Sequence, residues 1–164
     1  MTLSAPAITA DDYVSLQHFY ASYAACLDAG SYAEWPDYFT ENCLYRIVPR
    51  ENFEMGLPLA TLSLTSRAML VDRVYGIEST IFHAPYYQRH VIGPLLIATS
   101  EALDTFAVEA NYCVFRTKRD MPSEVFNAGR YVDRVVRDGD RLRFAEKLCV
   151  FDSELVPNSL IYPI

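Results

Sequence analysis

VFNAGRYVDRVVRDGDRLRFAEKLCVF, residues 125–151, is the stretch that decides the fold class of this chain. Two runs, Val125–Val136 and Arg141–Phe151, flank Arg137-Asp138-Gly139-Asp140. An Asp-Gly pair between such runs supplies the positive φ angles of a tight hairpin turn. The two runs are therefore expected to be antiparallel neighbours. In the second run Leu142, Phe144, Leu148 and Val150 share one face, and Arg141, Arg143 and Lys147 the other. A period of two sets the first group against a core and leaves the second in water, as antiparallel sheets allow. Glu146 falls with the apolar group, where a carboxylate is costly unless it is paired.

Upstream, Thr105–Lys118 alternates in the same way, with Phe106, Val108, Ala110, Tyr112 and Val114 on one face. Tyr86–Ile97 and Cys43–Val48 are also strand-like, while residues 49–61, with Pro49, Gly56 and Pro58, suit a loop. The N-terminal part follows a different period. Between Asp11 and Ala29 the residues Leu16, Phe19, Tyr20, Tyr23 and Leu27 recur at spacings of three and four, which makes one face of a helix. Thr9 and Asp12 supply its capping box and Gly30 ends it. Ser31 opens a short helical turn through Trp35 and Phe39, with Pro36 near its start. A third helix is expected from Thr65 or Ser66 to Ser79, with Leu70, Val74 and Ile77 on one side.

Helices first and strands afterwards imply an α+β domain, a curved antiparallel sheet wrapped over three N-terminal helices. The 164 residues, 51% of them apolar, suit a single domain over 1–164, with residues 1–9 a flexible arm and 155–164 an uncharged apolar tail. Leu160, Ile161 and Tyr162 of that tail are expected to anchor on a neighbouring subunit or to cover their own domain.

Composition excludes several functions. A net charge of -7 opposes nucleic-acid binding, which needs clustered Lys and Arg. No apolar run reaches the ~20 residues of a membrane span, and the N-terminus lacks the pattern of a signal peptide, so a cytoplasmic location is expected. Cys26, Cys43, Cys113 and Cys149 stand 17, 70 and 36 residues apart, without the close pairing of zinc or redox sites. No Cys-x-His with Cys-x-x-His is present for an iron–sulfur cluster, and His18, His83 and His90 fall on different elements. Nucleotide-binding and hydrolase glycine motifs are absent too.

Three residues carry candidate chemistry. Glu146 is either a base inside a cone-shaped domain or the partner of a neighbouring-strand arginine such as Arg130. His90, beside Arg89, is either a general base near a helix carboxylate such as Asp28 or a structural or interface histidine. Tyr45 could donate to a developing oxyanion, although 12 tyrosines point more to protein interfaces. Trp35, Tyr38, Phe39 and Tyr45 gather aromatic side chains that are ordinarily core but also dominate interface hot spots.

The run Trp35-Pro36-Asp37-Tyr38-Phe39-Thr40-Glu41-Asn42-Cys43-Leu44-Tyr45-Arg46, then Glu51-Asn52 with Gly56-Leu57, Asp72-Arg73-Val74 and Pro85-Tyr86-Tyr87-Gln88-Arg89-His90-Val91-Ile92-Gly93, resembles the small (β) subunit of Rieske-type aromatic-ring hydroxylases. The similarity runs in order from about residue 10 to the end of the sequence. The Glu-Asn loop and Gly-Leu-Pro-Leu most resemble members acting with carboxylated aromatics, salicylate 5-hydroxylase and, less closely, terephthalate dioxygenase. The resemblance implies a cystatin-like or NTF2-like cone and a chain that is itself cofactor-free and non-catalytic. It also implies an α3β3 assembly whose large subunit carries the Rieske 2Fe-2S cluster and mononuclear iron, with ferredoxin and reductase supplying NAD(P)H electrons. Trp35, Tyr38, Arg89, His90 and the tail anchors would then serve the subunit interface. The rival on the same fold is a stand-alone isomerase or dehydratase using Glu146, His90, Asp28 and Tyr45, or a non-catalytic small-molecule-binding protein.

Overall fold

Thr9 and Asp12 start the first helix by exchanging hydrogen bonds: the Thr9 hydroxyl accepts the Asp12 amide at 3.1 Å, and Asp12 Oδ2 accepts the Thr9 amide at 3.1 Å. The computed structural model describes residues 8–99, 104–153 and 160–164. Of the flexible arm expected over 1–9, residues 1–7 lie outside the described residues, as do the tail residues 155–159, while Thr9 is held as the helix cap. Helix α1 spans Ala10–Asp28 and buries Leu16, Phe19, Tyr20, Tyr23 and Leu27, the face that the spacing predicts, together with Cys26. Gly30, at φ +72°, then turns the chain. A 3-10 helix, Tyr32–Tyr38, buries Trp35 and Pro36.

Strand β1 is Phe39–Pro49. The stretch expected as a loop contains a short helix, α2, Arg50–Glu54, and is followed by a short strand, β2, Leu62–Leu64, that no alternation announced. Helix α3 runs Arg67–Tyr75 from an N-cap at Ser66 and continues as a π-type turn over Gly76–Thr80, with Leu70, Val74 and Ile77 buried as expected. Strands β3 (Tyr86–Ile92) and β4 (Leu96–Thr99) replace the single strand read from the sequence. The break falls at Gly93-Pro94, where proline has no amide to give the ladder. Strands β5 (Thr105–Lys118), β6 (Glu124–Asp138) and β7 (Arg141–Phe151) complete the sheet.

The seven strands form one curved sheet in the order β2-β1-β7-β6-β5-β3, with β4 also on β5. It is mixed rather than wholly antiparallel: β1 and β7 run parallel, Tyr45 opposite Lys147 and Ile47 opposite Cys149. Hairpin reasoning joins only consecutive strands, so it could not reveal this pairing between the first long strand and the last. The α+β cone is otherwise as expected. In the β6–β7 hairpin Asp138 is the last ladder residue, opposite Arg141, and the loop is Gly139-Asp140. Only Gly139, at φ +63°, takes the left-handed region there. Gly129 has a different task, since a Cβ there would lie 2.0 Å from the Val150 carbonyl.

One residue changes the face of β7. Arg134 pairs with Glu146 and Val135 with Phe144, so Ala145 is an extra residue, a β-bulge. Phe144 points inward before the bulge, and Lys147, Cys149 and Phe151 point inward after it. The expected orientations of Glu146 and Lys147 are thereby reversed. The core between sheet and helices is aromatic. Tyr23 meets Phe144 edge-on at 5.2 Å, Trp35 meets Tyr45 at 5.1 Å, and Tyr112 stacks on Tyr131 at 4.2 Å. Five of the 12 tyrosines read as interface residues, Tyr20, Tyr23, Tyr45, Tyr112 and Tyr131, are thus interior.

Candidate functional site

A buried ion pair lies on the inner face. Asp133 on β6 and Lys147 on β7 meet at 3.0 Å, and neither side chain has solvent-exposed surface. Asp133 also accepts the Tyr20 hydroxyl at 2.6 Å and the Leu148 amide at 3.2 Å. Lys147 Nζ lies 3.4 Å from the centre of the Tyr131 ring, where the negative π face adds to the carboxylate's attraction. Burial pushes the Asp133 carboxyl above its ordinary range, and Lys147 opposes that push. Burial also holds the Tyr20 hydroxyl well above its ordinary value. The site was missed because the bulge inverts the parity of Lys147. Asp133 was legible, since it shares the parity of Tyr131 and Val135.

A second polar cluster joins α1 to β3. Asp28, in the last turn of α1, accepts the His90 amide at 3.0 Å and sits 2.6 Å from His90 Nδ1. Arg89 Nη1 reaches its other oxygen at 3.4 Å. The Asp28–His90 proximity read from the sequence is therefore present. The carboxylate engages a proton on Nδ1, which leaves Nε2 as the ring's other polar atom. That atom is buried without a partner among the described residues, as are both amide atoms of Gln88, two residues earlier on the same face. A cleft of about 380 Å³ lies over the pair, lined by Gln17, Ala21, Ala24 and Ala25 of α1. The His90 side chain itself has no exposed surface, so it cannot meet a solute there without movement.

Glu146 points outward and pairs with Arg134 at 2.7 Å, both side chains well exposed. Its partner is not Arg130, whose guanidinium lies over the Phe53 ring. Tyr45 is buried, and its hydroxyl is engaged by Ile164. Because β1 and β3 are separated by β7, β6 and β5, Tyr45 stands far around the sheet from His90. Of the four residues of the enzyme alternative, only Asp28 and His90 come together.

The interface candidates divide by exposure. Trp35 is completely buried and so offers no surface to a partner. Tyr38 is half-buried, its hydroxyl donating to the Ser22 carbonyl at 3.0 Å. Leu160, Ile161 and Tyr162 lie against their own chain, with Arg73 donating to the first two carbonyls. Arg89 is 72% exposed and stands on the outer face of β3 between Tyr87 and Val91, which are 78% and 53% exposed.

Among the described residues no group of three or more His, Cys, Asp or Glu is placed to hold a metal ion. His83 meets the Tyr162 hydroxyl at 2.7 Å, His90 holds Asp28, and His18 lines a separate cleft, so the histidines do not converge. The four cysteines are free. Burial pushes the Cys149 thiol up to about 12 and the Cys26 thiol to about 11, which keeps both as inert thiols. No helix among the described residues is long and apolar enough to cross a membrane.

Residues 9–147 match the model of the SnoaL-like domain. The chain is 37% identical over 144 residues to the anthranilate 1,2-dioxygenase small subunit of Burkholderia cepacia, covering 87% of this chain and 88% of that one. It is 27% identical over 151 residues to the terephthalate 1,2-dioxygenase terminal oxygenase component subunit beta 1 of a Comamonas species, covering 92% and 97%. Among solved structures, a chain assigned as the β subunit of an aromatic-ring-hydroxylating dioxygenase from Novosphingobium aromaticivorans superimposes with a TM-score of 0.83 at 35% identity, covering 93% of this chain and 96% of that one.

Proposed function

The chain belongs to the SnoaL-like domain family and is a small subunit of an aromatic-ring-hydroxylating dioxygenase, and from that premise we propose that it is a structural, non-catalytic subunit whose partner acts on a carboxylated aromatic ring. The observation that carries the structural role is the filled interior. Where a cone-shaped enzyme of this fold would keep a base facing a substrate, this chain packs the Asp133–Lys147 pair, Tyr131 and Ile164, all without exposed side-chain surface. The large partner carries the Rieske 2Fe-2S cluster and the mononuclear iron, and the assembly is α3β3, fed by a ferredoxin and a reductase with NAD(P)H electrons. The dispersed histidines are in keeping with that division of labour, since the described residues gather no set of ligands.

The relatives support a substrate class. The names of both, anthranilate and terephthalate dioxygenase, point to rings bearing a carboxylate. A salicylate-like ring is the substrate of this reading, hydroxylated with O2 by the partner. Four unpaired cysteines support a reducing, cytoplasmic setting. Tyr87, Arg89 and Val91 form the docking strip, because an arginine flanked by exposed apolar side chains has the composition of an interface centre.

The test is co-expression with a large subunit bearing the Cys-x-His and Cys-x-x-His motifs. The expected result is an equimolar complex that consumes O2 with salicylate, while this chain alone shows no turnover. Arg89→Ala should weaken co-purification at an unchanged melting temperature. Trp35→Ala should instead cost about 3–5 kcal/mol of stability, the usual loss for a large buried aromatic. A chain that never associates with the large subunit, or that alone converts the ring substrate, would overturn the reading.

A further inference from the structure

Residues 160–164 belong to no helix or strand, yet Ile161, Pro163 and Ile164 are buried. Side chains from four elements hold their backbone groups individually. Arg73 of α3 donates through Nη2 to the carbonyls of Leu160 and Ile161, at 2.6 and 2.9 Å. Tyr86 of β3 accepts the Tyr162 amide at 3.5 Å. Tyr45 of β1 accepts the Ile164 amide at 3.0 Å and donates to the Ile164 carbonyl at 3.1 Å. Tyr23 of α1 donates to that same oxygen at 3.0 Å.

The side chains of the segment are seated as well. The Tyr162 ring stacks on Tyr32 at 4.8 Å with 23° between planes, and its hydroxyl meets His83 Nε2 at 2.7 Å. Ile164 has no exposed surface. Secondary structure satisfies backbone groups through other backbone groups. A groove that holds a peptide can do so with placed side-chain donors and acceptors and with seats for its side chains, which is the arrangement found here. Emptying it would leave the buried Tyr23 and Tyr45 hydroxyls without their acceptor, so the groove favours an occupant of the same chemistry.

We infer that the groove bounded by α3, β3 and the inner faces of α1 and β1 is a peptide receptor, and that residues 160–164 are its tethered ligand, a Leu-Ile-Tyr-Pro-Ile segment bent at Tyr162 and bound in cis. This assignment does not depend on the oxygenase partner.

The experiment uses the full chain with its segment disabled by Tyr162→Ala and Ile164→Asp. The probe is the synthetic peptide acetyl-Leu-Ile-Tyr-Pro-Ile. Trp35, the only tryptophan, reports on the seat because its Nε1 donates to the Tyr23 hydroxyl at 3.4 Å. The peptide should change Trp35 emission saturably in the disabled chain and not in the wild type. Adding Arg73→Ala should weaken that binding at least about tenfold, as expected for loss of a charged donor. If the disabled chain is unfolded, recovery of its native circular dichroism by the peptide supports the assignment equally. A peptide that neither binds a folded variant nor restores an unfolded one would overturn it, as would binding indifferent to Arg73→Ala. A wild-type dimer lost on Arg73→Ala would place the segment in a second copy and overturn the assignment in cis.

Discussion

Asp133 and Lys147 face each other across adjacent strands with 3.0 Å between Oδ2 and Nζ and no side-chain exposure on either. Desolvation costs each of two charges in an aromatic interior several kcal/mol, and only their mutual attraction and their hydrogen bonds offset it. Such a pair adds little to net stability, although losing one partner is costly.

Lys147→Met should cost about 3–5 kcal/mol at neutral pH, since it leaves Asp133 buried without its cation. Burial raises the Asp133 pKa above 3.8, and removing Lys147 takes away a lowering influence. For a raised carboxyl, stability is fully present below the unfolded pKa and is lost as pH rises through the folded value. The deficit of Lys147→Met should consequently shrink as the pH is brought down toward 3.8 and below. Asp133→Leu combined with Lys147→Met should regain most of the loss. Urea unfolding at several pH values measures all of this, and a double variant no better than the single would contradict the account.

Deleting Ala145 tests the bulge. The deletion leaves Phe144 opposite Val135 and Glu146 opposite Arg134 as consecutive pairs, so the ladder becomes regular while Glu146 and Lys147 keep their faces. Circular dichroism and solubility should therefore show a native fold for this variant. Deleting Val132, from the regular part of the same ladder, should abolish it, because every later residue would change face or both neighbouring pairings would have to slip. An Ala145 deletion that unfolds the chain would mean that the bulge does more than absorb one extra residue.

At the other end of the chain, Thr9→Ala should cost about 0.5–2 kcal/mol, the usual loss of an N-cap. The Asp12 carboxyl is held below its ordinary 3.8 by the Thr9 hydroxyl first, then by the Thr9 amide and Arg137. A depressed carboxyl contributes stability that is present above the unfolded pKa and is lost as pH falls through the folded value. The gap between wild type and Asp12→Asn should thus be constant near neutrality and close below pH 3.8. Thermal melts across that range provide the check, and a gap that widens in acid would refute it.

Much of this fold was legible locally. The α1 face, the capping box, the extent of β5 and β7 and the β6–β7 hairpin all follow from spacing and turn chemistry. The Asp28–His90 contact was legible as a pair of residue types, though not as a buried pair. Trp35 shows the limit of residue type: an aromatic suits an interface and a core equally, and only its place beneath Phe39 and Tyr45 makes it core.

By itself, then, the sequence determined an α+β chain, the helical face that enters the core and the order in which elements form, because these depend on residues within a few positions of one another. The tertiary structure decided which way Glu146 and Lys147 point, that β1 lies parallel to β7, and where residues 160–164 rest. The first turns on one inserted residue whose effect exists only against a partner strand. The others join segments about a hundred residues apart, whose meeting depends on shape and on the need to satisfy buried polar groups, neither of which has a local period in the sequence.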